Sequence, residues 1–264
     1  MLEYRYPHFK RELLMEDMSF GGGPSPGEPM PDFELPTTDG DTIRKSDFVG
    51  DRPLLLTVGS ITCPMTAASG KILHKLHREF GDQVAFVTLY VREAHPGDAI
   101  PQAKTLDDKL AYARAYKERD GIHWKVAVDD VEGTLHRKLD PKPNSTYIMS
   151  EDGTVAYRSL WSNDERALRK GLRGIVEGKR VIGETESHAV PMVSGMGKMY
   201  EMLEMSGPTA KKDLMNQAPP MYAMARLASM FRPLSPLGRG MTAMALGGLG
   251  LFALGRGIKR LRES

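Results

Sequence analysis

Three side chains of different chemistry could act together in this chain: the thiol of Cys63, the imidazole of His95 and the carboxyl of Glu93. A thiol, a ring that carries a proton and a carboxylate form the usual set behind an activated sulfur nucleophile. Cys63 is the single cysteine and stands in Gly59-Ser60-Ile61-Thr62-Cys63-Pro64-Met65-Thr66. The apolar run Pro53-Leu54-Leu55-Leu56-Thr57-Val58 precedes it, and a helical pattern follows it through Phe80. A cysteine between a strand and a helix lies among unpaired amide N–H groups at the positive end of the helix dipole. That position favours the thiolate, which is the reactive form. Cys63 is therefore the candidate nucleophile or redox centre. His95 is the candidate for holding or delivering a proton, and Glu93 for orienting the imidazole or a substrate. Ser60, Thr62 and Tyr90 are candidates for stabilising the sulfur or binding a polar group. Blander roles stand beside these. A lone cysteine is often a small buried hydrophobe. Ser60 and Thr62 can cap a helix, Glu93 can pair with a cation such as Arg92, and His95 can bond to backbone.

Elements that could position these groups follow from the pattern of apolar residues. Residues 8–18 suit a short helix with Leu13, Leu14 and Met18 apolar, and Gly21-Gly-Gly-Pro-Ser-Pro-Gly27 reads as a linker. Asp39-Gly40 suits a tight turn between two short strands. Strand 53–59, helix 64–80, strand 84–91, helix 105–119, strand 124–128 and a short helix 131–139 follow. Residues 146–149 and 154–158 read as a hairpin, and helix 163–177 closes the unit. Alternating strands and helices imply an α/β sheet with parallel strands and right-handed crossovers. The order resembles a thioredoxin-type fold with a mid-domain insertion: a mixed sheet flanked by helices. If strands 53–59 and 84–91 are parallel neighbours, both end on the edge of the sheet where sites of open α/β folds collect. Cys63 then meets Glu93 and His95 across more than thirty residues of chain.

The chain of 264 residues has room for one ordinary domain and some extra. Its hydrophobic fraction of 41% and charged fraction of 27% are those of a globular protein. A net charge of +2 gives no general case for nucleic-acid binding. One cysteine excludes an intramolecular disulfide and a cysteine-rich metal site. His74 and His77 share a helix face, and without a further ligand they read as solvated; no metal and no cofactor are expected. The first residues lack an apolar signal region, so a reduced cytoplasmic setting is the expectation.

The residues around the cysteine resemble the iodothyronine deiodinase family. Gly59-Ser60-Ile61-Thr62-Cys63-Pro64 is similar to that family's Gly-Ser-x-Thr-selenocysteine-Pro motif, with cysteine for selenocysteine. Tyr90-Val91-Arg92-Glu93-Ala94-His95-Pro96-Gly97-Asp98 is similar to its Tyr-Ile-x-Glu-Ala-His-x-x-Asp motif. The resemblance covers roughly residues 28–178. It implies a thioredoxin-fold redoxin in which Cys63 attacks an electrophilic atom, with Ser60, Thr62, Glu93 and His95 around it. Three departures narrow the implication. Sulfur is a less acidic and weaker dehalogenating nucleophile than selenium. The family's second histidine, in an Asn-His-x-Ser-Leu-Glu-Asp-Arg stretch, corresponds to Ala103 in Gln102-Ala103-Lys104-Thr105-Leu106-Asp107-Asp108-Lys109. The arginine ahead of the hairpin corresponds to Ser145. Thyroid-hormone deiodination is therefore not expected, and a broader thiol-redox role is. With no second cysteine, an external thiol reductant would have to restore an oxidised Cys63.

Beyond the redoxin region the composition changes. Eleven of the 17 methionines follow residue 190. Met192, Met196, Met199 and Leu203 fall at helical spacing, and Pro219-Pro220 opens a second helical pattern with Met221, Met224, Leu227, Met230 and Phe231. Such stripes are adaptable apolar faces for packing or partners. Residues 241–254 carry no charge and are followed by Arg256, Lys259, Arg260 and Arg262, yet are short of a full membrane span. The chain thus divides into an N-terminal segment and linker (1–27), a thioredoxin-like redoxin domain (28–180) and a Met-rich helical extension (181–264). The expected function is reduction of a peroxide, disulfide or halogenated electrophile through Cys63. The alternative is a non-catalytic redoxin-fold scaffold or accessory subunit whose Met-rich C-terminal helices bind a membrane protein complex or membrane surface. On either reading the expected place is the cytoplasm, peripheral to or anchored at the cytoplasmic membrane through the C-terminal segment, with residues 190–264 meeting a membrane surface or membrane-protein partner.

Overall fold

The structure, a computed structural model, describes residues 3–248. In chain order the elements are α1 (Arg11–Glu16), β1 (Glu34–Pro36), β2 (Thr42–Arg44), β3 (Leu54–Gly59), α2 (Pro64–Phe80), β4 (Ala85–Tyr90), α3 (Leu106–Asp120), β5 (Lys125–Val128) and α4 (Thr134–Lys138). There follow β6 (Thr146–Met149), β7 (Val155–Ser159), α5 (Glu165–Val176), β8 (Gly183–Thr185), α6 (Ala189–Ser206), α7 (Pro208–Gln217) and α8 (Pro219–Ser229). Residues 236–248 are also helical.

Six strands form one mixed sheet in the order β5-β4-β3-β6-β7-β8. β3 and β4 are parallel, with Leu54 opposite Ala85 and Gly59 opposite Tyr90, and β5 runs parallel to β4. β6 lies antiparallel to β3, and β7 antiparallel to β6. Both central strands are buried along their whole length, as continuous apolar runs covered on two faces must be. Leu55, Phe86 and Val126 point to one face, against Leu73 and Leu76 of α2, Tyr116 of α3 and Leu168 of α5. Leu54, Leu56, Val87 and Leu89 point to the other, against Phe33, Ile43 and Leu135. This is the thioredoxin-like α/β fold that the strand–helix alternation predicts. The helix starts are locally specified. Thr105 caps α3 by accepting from the Asp108 amide at 3.1 Å, and Asp164 caps α5 by accepting from the Ala167 amide at 3.0 Å.

Two features lie outside the sequence pattern. β8 adds a parallel strand beside β7, so the sheet continues to Thr185. α7 separates the two helices that the methionine spacing marks. The larger finding concerns where those helices go. α6 packs along α2, and Met199, Leu203, Leu214 and Ala225 form one cluster with Tyr6, Phe9 and Leu13 of the N-terminal segment. The buried methionine face is covered by this chain itself. Among the described residues no helix is long and apolar enough to cross a membrane. Of the uncharged stretch 241–254, residues 249–254 lie outside the described residues.

Candidate active site

β3 and β4 end together, and the backbone beyond them builds the site. Gly59 is needed here: a Cβ on it would stand 2.8 Å from the Thr66 side chain, where the strand end passes the first turn of α2. Cys63 takes the N-cap position of α2 with Pro64 at the first helical position, where a missing N–H costs nothing. The Cys63 amide donates to Ser60 O at 3.2 Å, which fixes the turn into the helix.

Glu93 ties the two strand ends together. It accepts from the Thr62 hydroxyl at 2.6 Å, the Thr62 amide at 3.3 Å and the Tyr90 hydroxyl at 2.5 Å. The Ile61 amide donates to Tyr90 Oη at 3.3 Å. Backbone amides complete the lattice: Ala94 N–H donates to Ser60 Oγ and His95 N–H to Thr62 Oγ1, each at 3.3 Å. Gln102 holds the Glu93 backbone from outside, accepting at 3.0 Å and donating at 2.7 Å. Ser60, Thr62, Tyr90, Glu93 and His95 are all buried. Sequence and structure therefore agree that these residues converge. Their bonds differ from the simplest expectation: Ser60, Thr62 and Tyr90 spend their hydroxyls on backbone amides and on Glu93, and Glu93 grips the Thr62 segment instead of the His95 ring.

Electrostatics at this edge are dominated by burial. The Cys63 thiol is 1% exposed, and burial pushes its pKa up. Proximity to Asp17 adds to this, while the Thr66 hydroxyl and the amides of Thr66 and Met65 act the other way. The expectation of a thiol acidified by its helix start is thus corrected: the amides are in place, but desolvation of the charged form outweighs them. Burial also moves His95 down to about 4 and Glu93 up to about 7. For Glu93 the Thr62 and Tyr90 hydrogen bonds and Lys109 offset part of that shift. The His95 imidazole is accordingly neutral at pH 7. Its Nδ1 has no hydrogen-bond partner among the described residues, and the Phe9 ring lies 4.6 Å from it, centroid to centroid.

Cys63 and His95 line one cavity of about 80 Å³. Its walls come from three parts of the chain. The redoxin edge contributes Met65, Ala94, Pro143 and Trp161; the N-terminal segment contributes Phe9, Leu13, Asp17 and Met18; the extension contributes Met192, Gly195, Met196 and Met199. A Cβ on Gly195 would stand 2.2 Å from the Met65 sulfur, so glycine lets α6 approach α2 closely. The N-terminal segment is latched by Arg92, which donates to Tyr4 O at 2.8 Å and lies over the Tyr4 and Tyr6 rings at 4.9 and 5.1 Å. Tyr6 Oη donates to Ala94 O at 3.2 Å.

Sequence reasoning missed three contributors. Asn144 Nδ2 donates to Thr66 Oγ1 at 3.0 Å and braces the turn under Cys63. Trp161 walls the cavity. Asp17, a half-buried residue of the cavity wall, is pushed up to about 7, chiefly by burial and against the pull of Arg92 and Lys142. Nothing in the spacing of Asp17 or Trp161 links either to Cys63. Asn144 was signalled only by its place just before the hairpin. Among the described residues no cluster of His, Cys, Asp or Glu could hold a metal ion.

Comparison with known proteins shows the family and the fold of the chain. The iodothyronine deiodinase family profile matches residues 16–170, well over half of the chain. A thyroxine 5-deiodinase of Gallus gallus is 35% identical over 137 residues, covering 48% of this chain and 53% of the relative. A type I iodothyronine deiodinase of Xenopus laevis is 29% identical over 155 residues, covering 55% and 59%. The chain spans about half the length of these relatives. An uncharacterized conserved protein of Geobacillus kaustophilus shares the fold, with a TM-score of 0.50 at 19% identity over 61% of this chain and 87% of that one.

Proposed function

This chain belongs to the iodothyronine deiodinase family, and from that premise we propose that it is a thiol-dependent oxidoreductase. Cys63 attacks a peroxide, a disulfide or a halogenated electrophile, and an external thiol restores it. The observation that carries this reading is the shared cavity: the single thiol of the chain, at a helix start, faces the same space as a neutral imidazole with an unpartnered nitrogen. His95 positions a substrate hydroxyl or accepts its hydrogen bond. Glu93 acts through Thr62, holding the Cys63 turn in register with the His95 loop. Ser60 and Tyr90 support the same two backbones. The family's second histidine is Ala103 here, and selenium is replaced by sulfur, so iodothyronine is the least favoured of the electrophiles. The test is turnover by the full chain with dithiothreitol and, in turn, hydrogen peroxide, 2-hydroxyethyl disulfide and thyroxine. Thiol consumption with at least one of them is expected, with loss of 100-fold or more in Cys63→Ser. No turnover with any, or equal turnover in Cys63→Ser, overturns the reading.

A second reading, a non-catalytic scaffold or accessory subunit of a membrane-bound partner, is favoured by one observation. Met230, Met241 and Met244 are 74%, 60% and 54% exposed on the outer side of the extension. Sedimentation with membranes of the full chain against a Met241→Ser/Met244→Ser variant tests it. Equal, full solubility of both ends it.

A further inference from the structure

A raised thiol needs a base, and the cavity contains one that the family motifs do not include. Two carboxyls of this region are pushed up to about 7, Glu93 and Asp17. Glu93 is consumed by Thr62 and Tyr90 and does not line the cavity, whereas Asp17 does. His95, moved down to about 4, is too weak a base to hold the thiol proton near neutrality. Asp17 and Cys63 line the same cavity, and the Asp17 charge adds to the rise of the thiol.

The rest of the lining narrows the substrate. Its walls are mostly methionine thioethers, leucines and aromatic rings, and among the described residues they include no lysine or arginine. A substrate carboxylate would find no counter-ion there and would meet the Asp17 carboxyl instead. Tyr6 and Trp161 have already given their donors to Ala94 O and His188 Nδ1. A volume of about 80 Å³ holds several waters or a short apolar group, well below the roughly 300 Å³ at which drug-sized pockets begin. His95, which lines the cavity, has an Nδ1 with no partner among the described residues and so offers one hydrogen bond.

We propose that the cavity between Cys63, α1 and α6 takes a small, uncharged organic hydroperoxide, and that Asp17 is the catalytic residue that carries the proton from the thiol to the leaving alkoxide. The proposal rests on the reading of Cys63 as a redox nucleophile. The Cys63 sulfur attacks the terminal oxygen of R–O–OH; the S–O bond forms as the O–O bond breaks. The thiol proton passes to the Asp17 carboxylate and from it to RO⁻. The products are Cys63–SOH and ROH, with sulfur oxidised and the peroxide reduced by two electrons. One external thiol then gives a mixed disulfide and water, and a second releases Cys63–SH and the external disulfide. The titratable and charged groups facing Asp17 are Tyr6 of the N-terminal segment, Glu16 on α1, Arg92 after β4, Asp140 and Lys142 ahead of β6, and Cys63. The cavity-lining residues of α6, Met192, Gly195, Met196 and Met199, carry none. The rate therefore rises as pH passes through about 7, below the thiol's own ionisation.

The test is oxidation of Cys63 in the full chain by tert-butyl hydroperoxide and by hydrogen peroxide, with the sulfenic acid trapped by a 1,3-dione and read by mass. The expected result is oxidation at least tenfold faster by the alkyl hydroperoxide. Asp17→Asn slows that reaction tenfold or more at pH 7 and removes the inflection near 7, and Asp17→Glu retains the inflection. Equal rates for the two peroxides, or an Asp17→Asn profile like the wild type, overturn the proposal. If Cys63 turns over a disulfide or thyroxine but neither peroxide, the substrate class fails and the redox reading stands. If it reacts with none of them, the redox reading itself fails.

Discussion

The edge of the sheet at Cys63 and the helical cover above it are built on opposite principles. The edge is polar and closed: Glu93, Thr62, Tyr90, Ser60 and Gln102 satisfy one another and the backbone. The cover, α1 with α6 to α8, is apolar, rich in methionine, and touches the edge mainly through packing. Buried polar networks fix geometry because each partner has only one good arrangement. Methionine surfaces fill space without fixing it. The difference teaches a division of labour: the edge sets where the thiol stands, and the cover sets what can reach it and how hard it is to ionise. Arg119 joins the two, donating to Ile61 O at 2.7 Å and contacting the Met202 and Met205 sulfurs at 3.5 and 3.6 Å.

The largest difference between edge and cover is expected in their response to pH. Glu93 is raised from 4.5 to about 7, so the folded state holds its proton more tightly than the unfolded chain does. Its burial costs nothing below pH 4.5; stability then falls as pH rises through 4.5–7 and levels off above. Glu93→Gln removes that slope. The stability difference between variant and wild type should change by about 3 kcal/mol between pH 4.5 and pH 8, read by denaturant unfolding. Asp17 contributes in the same direction and His95 in the opposite one, its neutral form favouring the fold above pH 6.5; both are unchanged in the variant and cancel from the difference. A flat difference would show that the edge is not the closed carboxyl network described.

Next in size is Met199→Ala, which empties a buried position between α6 and the N-terminal segment. It is expected to cost about 2 kcal/mol, and the same at pH 5 and pH 8. It should also speed alkylation of Cys63 by loosening the cover. A pH-dependent cost would place the cover within the titrating network and erase the distinction. Smallest is Met241→Ser, on an exposed position of residues 236–248, expected to change stability by less than about 0.5 kcal/mol.

The strands and the site residues of the edge were legible for a physical reason. A doubly buried parallel strand must be a continuous apolar run, as Leu54–Val58 and Ala85–Tyr90 are, and parallel neighbours must end on one side. The Cys63 turn and the loop that carries Glu93 and His95 therefore meet. β8 was not legible, since Gly183-Glu184-Thr185 is too short and too polar to carry a period. The direction of the Cys63 shift was not legible either. Helix position is written in local sequence, but burial is set by Phe9, Met192 and Met196, which lie far away along the chain. The methionine stripe announced an apolar face without saying what it would cover. Asp17 lay inside the helical pattern of residues 8–18, and only the folded chain brings it into the cavity of the thiol.

Whether Cys63 performs sulfur chemistry beneath this cover is decided most directly by its oxidation in the folded full chain. Stoichiometric hydroperoxide, a sulfenic-acid trap and mass analysis, with and without added thiol, supply the measurement. The account predicts selective trapping at Cys63, absent in Cys63→Ser and reversed by external thiol when the trap is omitted. A folded chain whose Cys63 stays unmodified, while the unfolded chain is oxidised and trapped, would contradict it.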